Sequence, residues 1–230
     1  KCLPKLLKEL AAIEELQFIR ILYCYPEEIT TELIQVIKEE DKICKYLDMP
    51  IQHAADGVLK RMGRRTDNAQ LRSIIGELRK EIPEICLRTT LITGFPGETR
   101  KDFAELKAFV KEMRFDRLGV FPYSPEEGTG AARMNGQIPS FVKNMRRNTI
   151  MKMQQAIAFE KASQMIGKTV DVLVEGKLPE DGVFIGRTYK DAPNVDGMIF
   201  INSDRELVTG DIIKACVTDS HEYDLIGELM

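Results

Sequence analysis

Four short stretches of this sequence place aromatic, amide, imidazole, glycine and proline residues directly after apolar runs. They are Tyr23-Cys-Tyr-Pro26, Gln52-His53, Gly94-Phe-Pro-Gly97 and Pro122-Tyr123-Ser-Pro125. Taken singly, each reads as a turn, since Gly and Pro are the usual chain punctuators. Taken together they point to a site, because parallel α/β sheets bind ligands at the C-terminal ends of their strands. The chemistry on offer is that of binding: aromatic faces, an amide, an imidazole, and glycines that let backbone approach a ligand closely. His53 is one of only two histidines, and a lone histidine more often fills a hydrogen-bonded structural role than that of a base or ligand. His221 falls in a turn between strands and is assigned no role. No catalytic residue is identifiable.

The pleat of a strand sharpens the argument. Along residues 86–93 alternate side chains share a face. Leu87 and Leu91 suit packing beneath helices, whereas Arg88, Thr90 and Ile92 take the other face, which in a barrel points into the lumen. Asp48 and Gln52 likewise share a face. A buried guanidinium must be paired, so Arg88 either forms an internal pair with Asp48 or meets a ligand carboxylate. The five cysteines, Cys2, Cys24, Cys44, Cys86 and Cys216, are odd in number and widely spaced. None forms a C-x-x-C or similar clip, and they read as reduced thiols rather than metal ligands.

The elements that must position these residues follow from periodicity. FIRILY (18–23), KYLDMPIQH (45–53), ICLRTTLIT (85–93) and RLGVF (117–121) read as strands. Helical spacing separates them, most clearly at Leu71, Ile74, Ile75, Leu78 and Ile82, and at Phe103, Leu106, Val110 and Met113. Thr99-Arg-Lys-Asp102 resembles a capping box. Such βα units predict a parallel sheet. A polar-rich helix is expected from Ile138 to about Gln164. After Gly167 five short β-like runs follow, separated by turn residues such as Pro179, Gly182, Pro193, Gly197 and Gly210. They predict a small five-stranded antiparallel barrel. The domain boundary is expected at 162/163.

The 230 residues are 43% hydrophobic and 30% charged, the balance of a protein with a real core. No run approaches the roughly 18 apolar residues of a membrane span, and the lysine-interrupted N-terminus is not a signal peptide, so the expected location is the cytoplasm and no membrane partner is expected. The net charge of −3 hides an asymmetry. Residues 1–162 hold 27 Lys+Arg and 23 Asp+Glu, a net of +4, and residues 163–230 hold 6 and 13, a net of −7. Halves of opposite sign predict different partners.

At YLDMPIQHAADGVLKRMGRR, LRTTLITGFPGET and LGVFPYSPEEGT the chain resembles the radical S-adenosylmethionine methylthiotransferases, over essentially its whole length. GRTYKDAPNVDGMIFI resembles the TRAM domain of the branch that modifies a small-subunit ribosomal protein; the tRNA-modifying branch normally lacks the DAP-x-x-DG element. The resemblance implies an α/β fold: an incomplete radical-SAM-type, TIM-like βα barrel followed by an OB-like TRAM barrel. It implies S-adenosylmethionine as cofactor, with Gln52, Arg88, Ile92, Gly94, Phe121 and Tyr123 lining its pocket and the strand of Thr90, Ile92 and Gly94 flanking the adenine. Glycine at 94 would leave room for the nucleoside. It also implies two [4Fe–4S] clusters in a full-length parent. The C-x-x-x-C-x-x-C loop that ligates the catalytic cluster is missing here, so the chain reads as an inactive fragment of an enzyme that methylthiolates the β-carbon of an aspartate.

Two other readings compete: a tRNA adenosine methylthiotransferase, and a non-catalytic binding module built on the small barrel. Charge weighs against the first, since nucleic-acid affinity rests on neutralising phosphates with Lys and Arg and nucleic acid is not expected on a barrel of net −7. The same field attracts a basic ribosomal protein. Asp181, Asp191, Asp196, Asp204 and Glu206, in the predicted turns, are the expected docking acids.

Overall fold

The computed structural model describes residues 2–179 and 182–230. They form two compact units, Lys1–Gln154 and Gln155–Met230. In the first, β1 (Ile19–Ile21), β2 (Ile43–Asp48), β3 (Cys86–Thr93) and β4 (Arg117–Pro122) make one sheet in the order β1-β2-β3-β4, with every neighbouring pair parallel. Helices lie between them in sequence: α2 (Thr31–Glu39) after β1, α3 (Asp56–Arg61) and α4 (Asn68–Glu81) after β2, and α5 (Arg100–Met113) after β3. A further helix, α1 (Leu3–Ala11), precedes β1.

The helix starts follow their capping residues. Thr30 Oγ1 accepts the Leu33 N–H at 3.2 Å. Asp67 with Gln70, and Thr99 with Asp102, form reciprocal capping boxes that satisfy two first-turn donors each. The apolar stripes face inward: Leu71, Ile75 and Leu78 of α4 and Leu106, Phe109, Val110 and Met113 of α5 are buried. Leu87 and Leu91 of β3 are fully buried while Arg88, Thr90 and Ile92 are half-buried. The two faces of β3 therefore fall as its pleat predicts.

Two strands are shorter than their apolar runs, and each end has a cause. β1 stops before Tyr23, whose φ of 58° is left-handed and whose N–H turns to Asp48 Oδ2 at 3.2 Å. β2 stops at Asp48 because Pro50 has no N–H to give to a ladder. The chain rejoins the sheet only at Gln52, which bridges to Leu91.

In the second unit β5 (Thr169–Lys177), β6 (Val183–Arg187), β7 (Ile199–Asn202), β8 (Ile212–His221) and β9 (Asp224–Leu229) close a barrel in the order β5-β6-β7-β9-β8. Val170, Val172, Val174, Phe184, Ile199, Ile201, Ala215, Val217 and Leu225 fill it from alternate positions. The expectation of a wholly antiparallel barrel needs correction: β7 and β9 pair parallel. A ring of five strands cannot alternate direction all the way round, so closure leaves one like-directed pair. His221 is the last residue of β8 rather than a turn residue. The expected polar-rich helix is α6 (Ser140–Ser163), 24 residues long, which runs from the first unit into the second.

Candidate functional site

The ends of β2, β3 and β4 bring five of the six predicted pocket residues together. Gln52 donates its N–H to Thr90 O at 2.9 Å and accepts the Ile92 N–H at 2.7 Å. Ile92 lies in register with Phe121, and the Tyr123 N–H donates to Thr93 O at 2.8 Å, beside Gly94. Gln52 holds a left-handed φ of 69°, a conformation that costs a non-glycine residue about 1–2 kcal/mol and clusters at functional sites. Phe121 is 60% exposed, an aromatic face open on the same side of the sheet as Thr90 and Ile92.

Arg88 sits deeper. It pairs in register with Asp48, four residues before Ile92, which at ~3.3 Å per residue is about 13 Å down the strand. Its Nη1 donates to Asp48 Oδ1 at 2.9 Å, and Asp48 is 1% exposed. The second oxygen of Asp48 accepts the Tyr23 N–H. The internal pair is therefore formed. The register also places Arg117 opposite Arg88 and sets Arg20 over the Tyr46 ring at 4.3 Å. Both lie at alternate positions of their strands, where the same parity rule would have found them.

Tyr123 uses its ring differently from expectation. It stacks edge-on against Phe95 at 5.1 Å and packs with Phe95, Ala55 and Val58. Its hydroxyl is buried without a hydrogen-bond partner.

The Gly94-Phe-Pro-Gly-Glu-Thr99 turn is held from within by Glu98, which is 4% exposed. Its Oε2 accepts the N–H groups of Gly94 and Phe95, and its Oε1 faces Arg146 of α6 at 2.9 Å. Burial pushes the Glu98 carboxyl up, while Arg146 and the two N–H donors act against that rise. Arg61 closes the other side, donating to Pro96 O at 3.1 Å and Gly97 O at 3.0 Å. Gly94 has a φ of +75°, and the space a side chain would take is filled by the stem of Lys143, also from α6. The glycine is thus required by the protein's own packing, before any nucleoside is considered. Lys143 completes the rim: its Nζ donates to Tyr123 O at 2.8 Å and lies 4.8 Å from the centre of the Tyr123 ring. The strand-end reading missed Lys143 and Arg146, spaced i, i+3 on α6, the spacing that puts both on one helix face.

His53 is fully buried, and its Nδ1 accepts the Ala55 N–H at 3.0 Å. Burial lowers its pKa to about 4, with Arg61 and Arg146 acting in the same direction against Asp102. The imidazole is therefore neutral, with its proton on Nε2. Cys24, Cys44 and Cys86 are buried, Cys216 is half-buried and Cys2 is exposed. Among the described residues no group of three or more His, Cys, Asp or Glu side chains is placed to hold a metal. These residues do not fit an iron–sulfur cluster. The open face of Thr90, Ile92 and Phe121 offers the apolar contact that an adenosyl group needs.

The docking acids fare unevenly. Asp191 is 2% exposed, because its carboxylate turns inward to accept Thr188 Oγ1 at 2.7 Å and the Thr188 N–H at 3.3 Å; it is removed from the docking set. Asp196 is half-buried and accepts the Ala192 N–H at 2.9 Å. Glu206 is exposed and meets Lys177 at 2.9 Å. Asp204 is exposed and lines a shallow cavity of about 500 Å³ with Asn202, Ser203, Arg205, Glu228 and Leu229. Asp181 lies outside the described residues.

The parallel sheet with its ligand-accepting strand ends, followed by a closed five-stranded barrel, defines a radical-SAM-type core with an appended TRAM barrel. Residues 2–110 match the Radical SAM superfamily and residues 166–230 match the TRAM domain. The ribosomal protein uS12 methylthiotransferase RimO of Lachnoclostridium phytofermentans is 60% identical over 227 residues, covering 99% of this chain and 52% of that protein. The protein of the same description from Clostridium botulinum strain Hall is 52% identical, covering 99% and 51%. Among solved structures, coproporphyrinogen III oxidase from Escherichia coli, described as a radical SAM enzyme, superposes with a TM-score of 0.50 at 25% identity, over 72% of this chain and 37% of that one. Over nearly its whole length the chain is similar to radical S-adenosylmethionine methylthiotransferases. It spans about half the length of the curated relatives it matches.

Proposed function

We propose that this chain is the C-terminal part of an enzyme that methylthiolates ribosomal protein uS12, at the β-carbon of an aspartate. The observation that carries the reading is identity of 60% across 99% of the chain to a protein of that description. In this reading residues 1–162 serve the radical SAM domain and residues 163–230 the TRAM domain, and the protein works in the cytoplasm. Among the described residues no helix is long and apolar enough to cross a membrane.

S-adenosylmethionine, bound beside an iron–sulfur cluster that this chain does not ligate, supplies a radical able to activate an unreactive C–H bond. The part of this chain is to bind, orient and shield. Ile92 and Phe121 offer the apolar surface for the adenosyl group, while the N–H groups of Gln52, Gly94 and Tyr123, bonded to Thr90, Glu98 and Thr93, hold the strand ends around it. Glu98, Arg146 and Arg61 keep the turn after β3 in one shape, so that surface is preformed. The Arg88–Asp48 pair fixes the floor beneath it.

The test is mass spectrometry of uS12 after incubation with the full-length, cluster-loaded protein, S-adenosylmethionine and a reductant. A gain of one methylthio group, localised to an aspartate, is expected. This chain alone should yield none. Modification of tRNA with uS12 untouched would overturn the proposal.

A further inference from the structure

β4 is the last strand of its sheet. Among the described residues β3 pairs with one of its edges and no strand pairs with the other. One bond fixes which groups face which way. The Asp116 N–H donates to Leu87 O at 3.0 Å, and the backbone groups of a strand alternate sides. Leu118 and Val120 therefore turn theirs to β3, while Gly119 and Phe121 turn theirs to the open edge. An unpaired edge is a template for further pairing, and natural edges are blunted with lysine, proline or a bulge. Between Leu118 and Phe121 there is no lysine and no proline, and the register with β3 runs unbroken.

The face beside this edge is open as well. Phe121 is 60% exposed. Apart from chain neighbours, an added Cβ at Gly119 would meet only the Phe121 ring within 4 Å, at 3.6 Å. Phe121 thus belongs to two surfaces, its ring to the proposed adenosyl surface and its backbone to the edge. Just past the strand, Glu126 and Glu127 are both exposed, an acidic end that complements a basic chain.

We infer that an extended segment of the substrate protein, carrying the residue to be modified, adds to the open edge of β4 as a further strand. In this mode main-chain bonds supply affinity and alternate side chains supply selectivity. Side chains of an added strand alternate between the faces of the sheet. A residue opposite Gly119 or Phe121 therefore points to the face that carries Ile92 and Phe121, where the adenosyl group is placed, and its neighbours point away. The inference rests on the functional reading above for its occupant, uS12.

The experiment measures binding of uS12 and of S-adenosylmethionine to the full-length, cluster-loaded protein, unaltered and as Gly119→Pro and Gly119→Ala. Proline removes the edge-facing N–H of Gly119 and leaves the bonds of Leu118 and Val120 to β3 in place, as edge strands tolerate. Gly119→Pro should weaken uS12 about tenfold or more. Gly119→Ala, which keeps the N–H, should stay within about twofold, and both should hold S-adenosylmethionine within about twofold. Unchanged uS12 affinity in Gly119→Pro would overturn the inference. So would a loss of stability or a change of oligomeric state with uS12 affinity intact, which would give the edge to the protein's own chain or to a second copy. Should Gly119→Pro not fold, or lose S-adenosylmethionine as well, synthetic uS12 peptides centred on the target aspartate decide with the unaltered protein. The plain peptide should compete with uS12. Single backbone N-methyl groups should abolish competition at alternate positions and leave it within about twofold at those between. No competition by the plain peptide, or losses without a period of two, would overturn the edge. If the unaltered protein bound no uS12 at all, the functional reading would fail instead, and the occupant with it.

Discussion

His53 shows how burial decides the role of a single residue. Its ordinary pKa is 6.5 and burial takes it to about 4. The unfolded chain therefore binds a proton between these values that the folded chain refuses. Its contribution to stability is full above pH 6.5 and is lost as the pH falls from 6.5 towards 4. Between pH 7.5 and pH 5 the linkage is worth roughly 2 kcal/mol. Asparagine can reproduce the one bond His53 makes, since its side-chain oxygen reaches the N–H two residues on. His53→Asn should therefore flatten this part of the acid limb, whatever it does to stability at neutral pH. Urea denaturation of both proteins at the two pH values measures the difference, and parallel pH dependences would show that another group sets the acid limb.

At the scale of elements, the turn after β3 is a joint between two strands and a distant helix. Gly94 needs a positive φ, and Lys143 fills the space where its side chain would go. Gly94→Ala should cost roughly 2–4 kcal/mol, from left-handed strain plus displacement of the lysine stem. Gly76 is the control. It lies mid-helix in α4 with nothing within 4 Å of an added Cβ, and Gly76→Ala should stabilise by about 0.5–1 kcal/mol. Chemical denaturation of the two variants checks both signs. The contrast explains what was legible beforehand. Alternation along residues 86–93 placed Leu87 and Leu91 on the face beneath the helices and Ile92 on the opposite one, because a strand's period of two is local. The capping box at Thr99 was legible for the same reason. Lys143 was not, because its significance depends on α6 returning to strand ends 20 and 49 residues earlier in the chain. Nor was the inward turn of Asp191, which depends on a carboxylate choosing Thr188 over water. The parallel β7–β9 pair was implied by the odd strand count, but only once the barrel is closed.

For the whole molecule, charge is the property that separates its two halves. The −7 carried by residues 163–230 remains a large field after Asp191 is set aside, because Asp204, Glu206 and Glu228 are all exposed. Asp204 and Glu228 share one shallow cavity, and Glu206 lies two residues from Asp204. Each exposed pair with a basic partner is worth only about 0.2–1 kcal/mol, so no single acid should matter much. A clustered field acts instead on encounter, raising the association rate in a way that salt screens over about 8–10 Å. Changing Asp204, Glu206 and Glu228 together to lysine should slow association with uS12 and flatten its dependence on salt, while leaving S-adenosylmethionine affinity unchanged. Stopped-flow association at two ionic strengths reads the effect. If the reversed barrel captured uS12 as fast as the original at low salt, docking would have to be assigned to the strand ends of the first unit, and the acidity of the barrel would serve solubility alone.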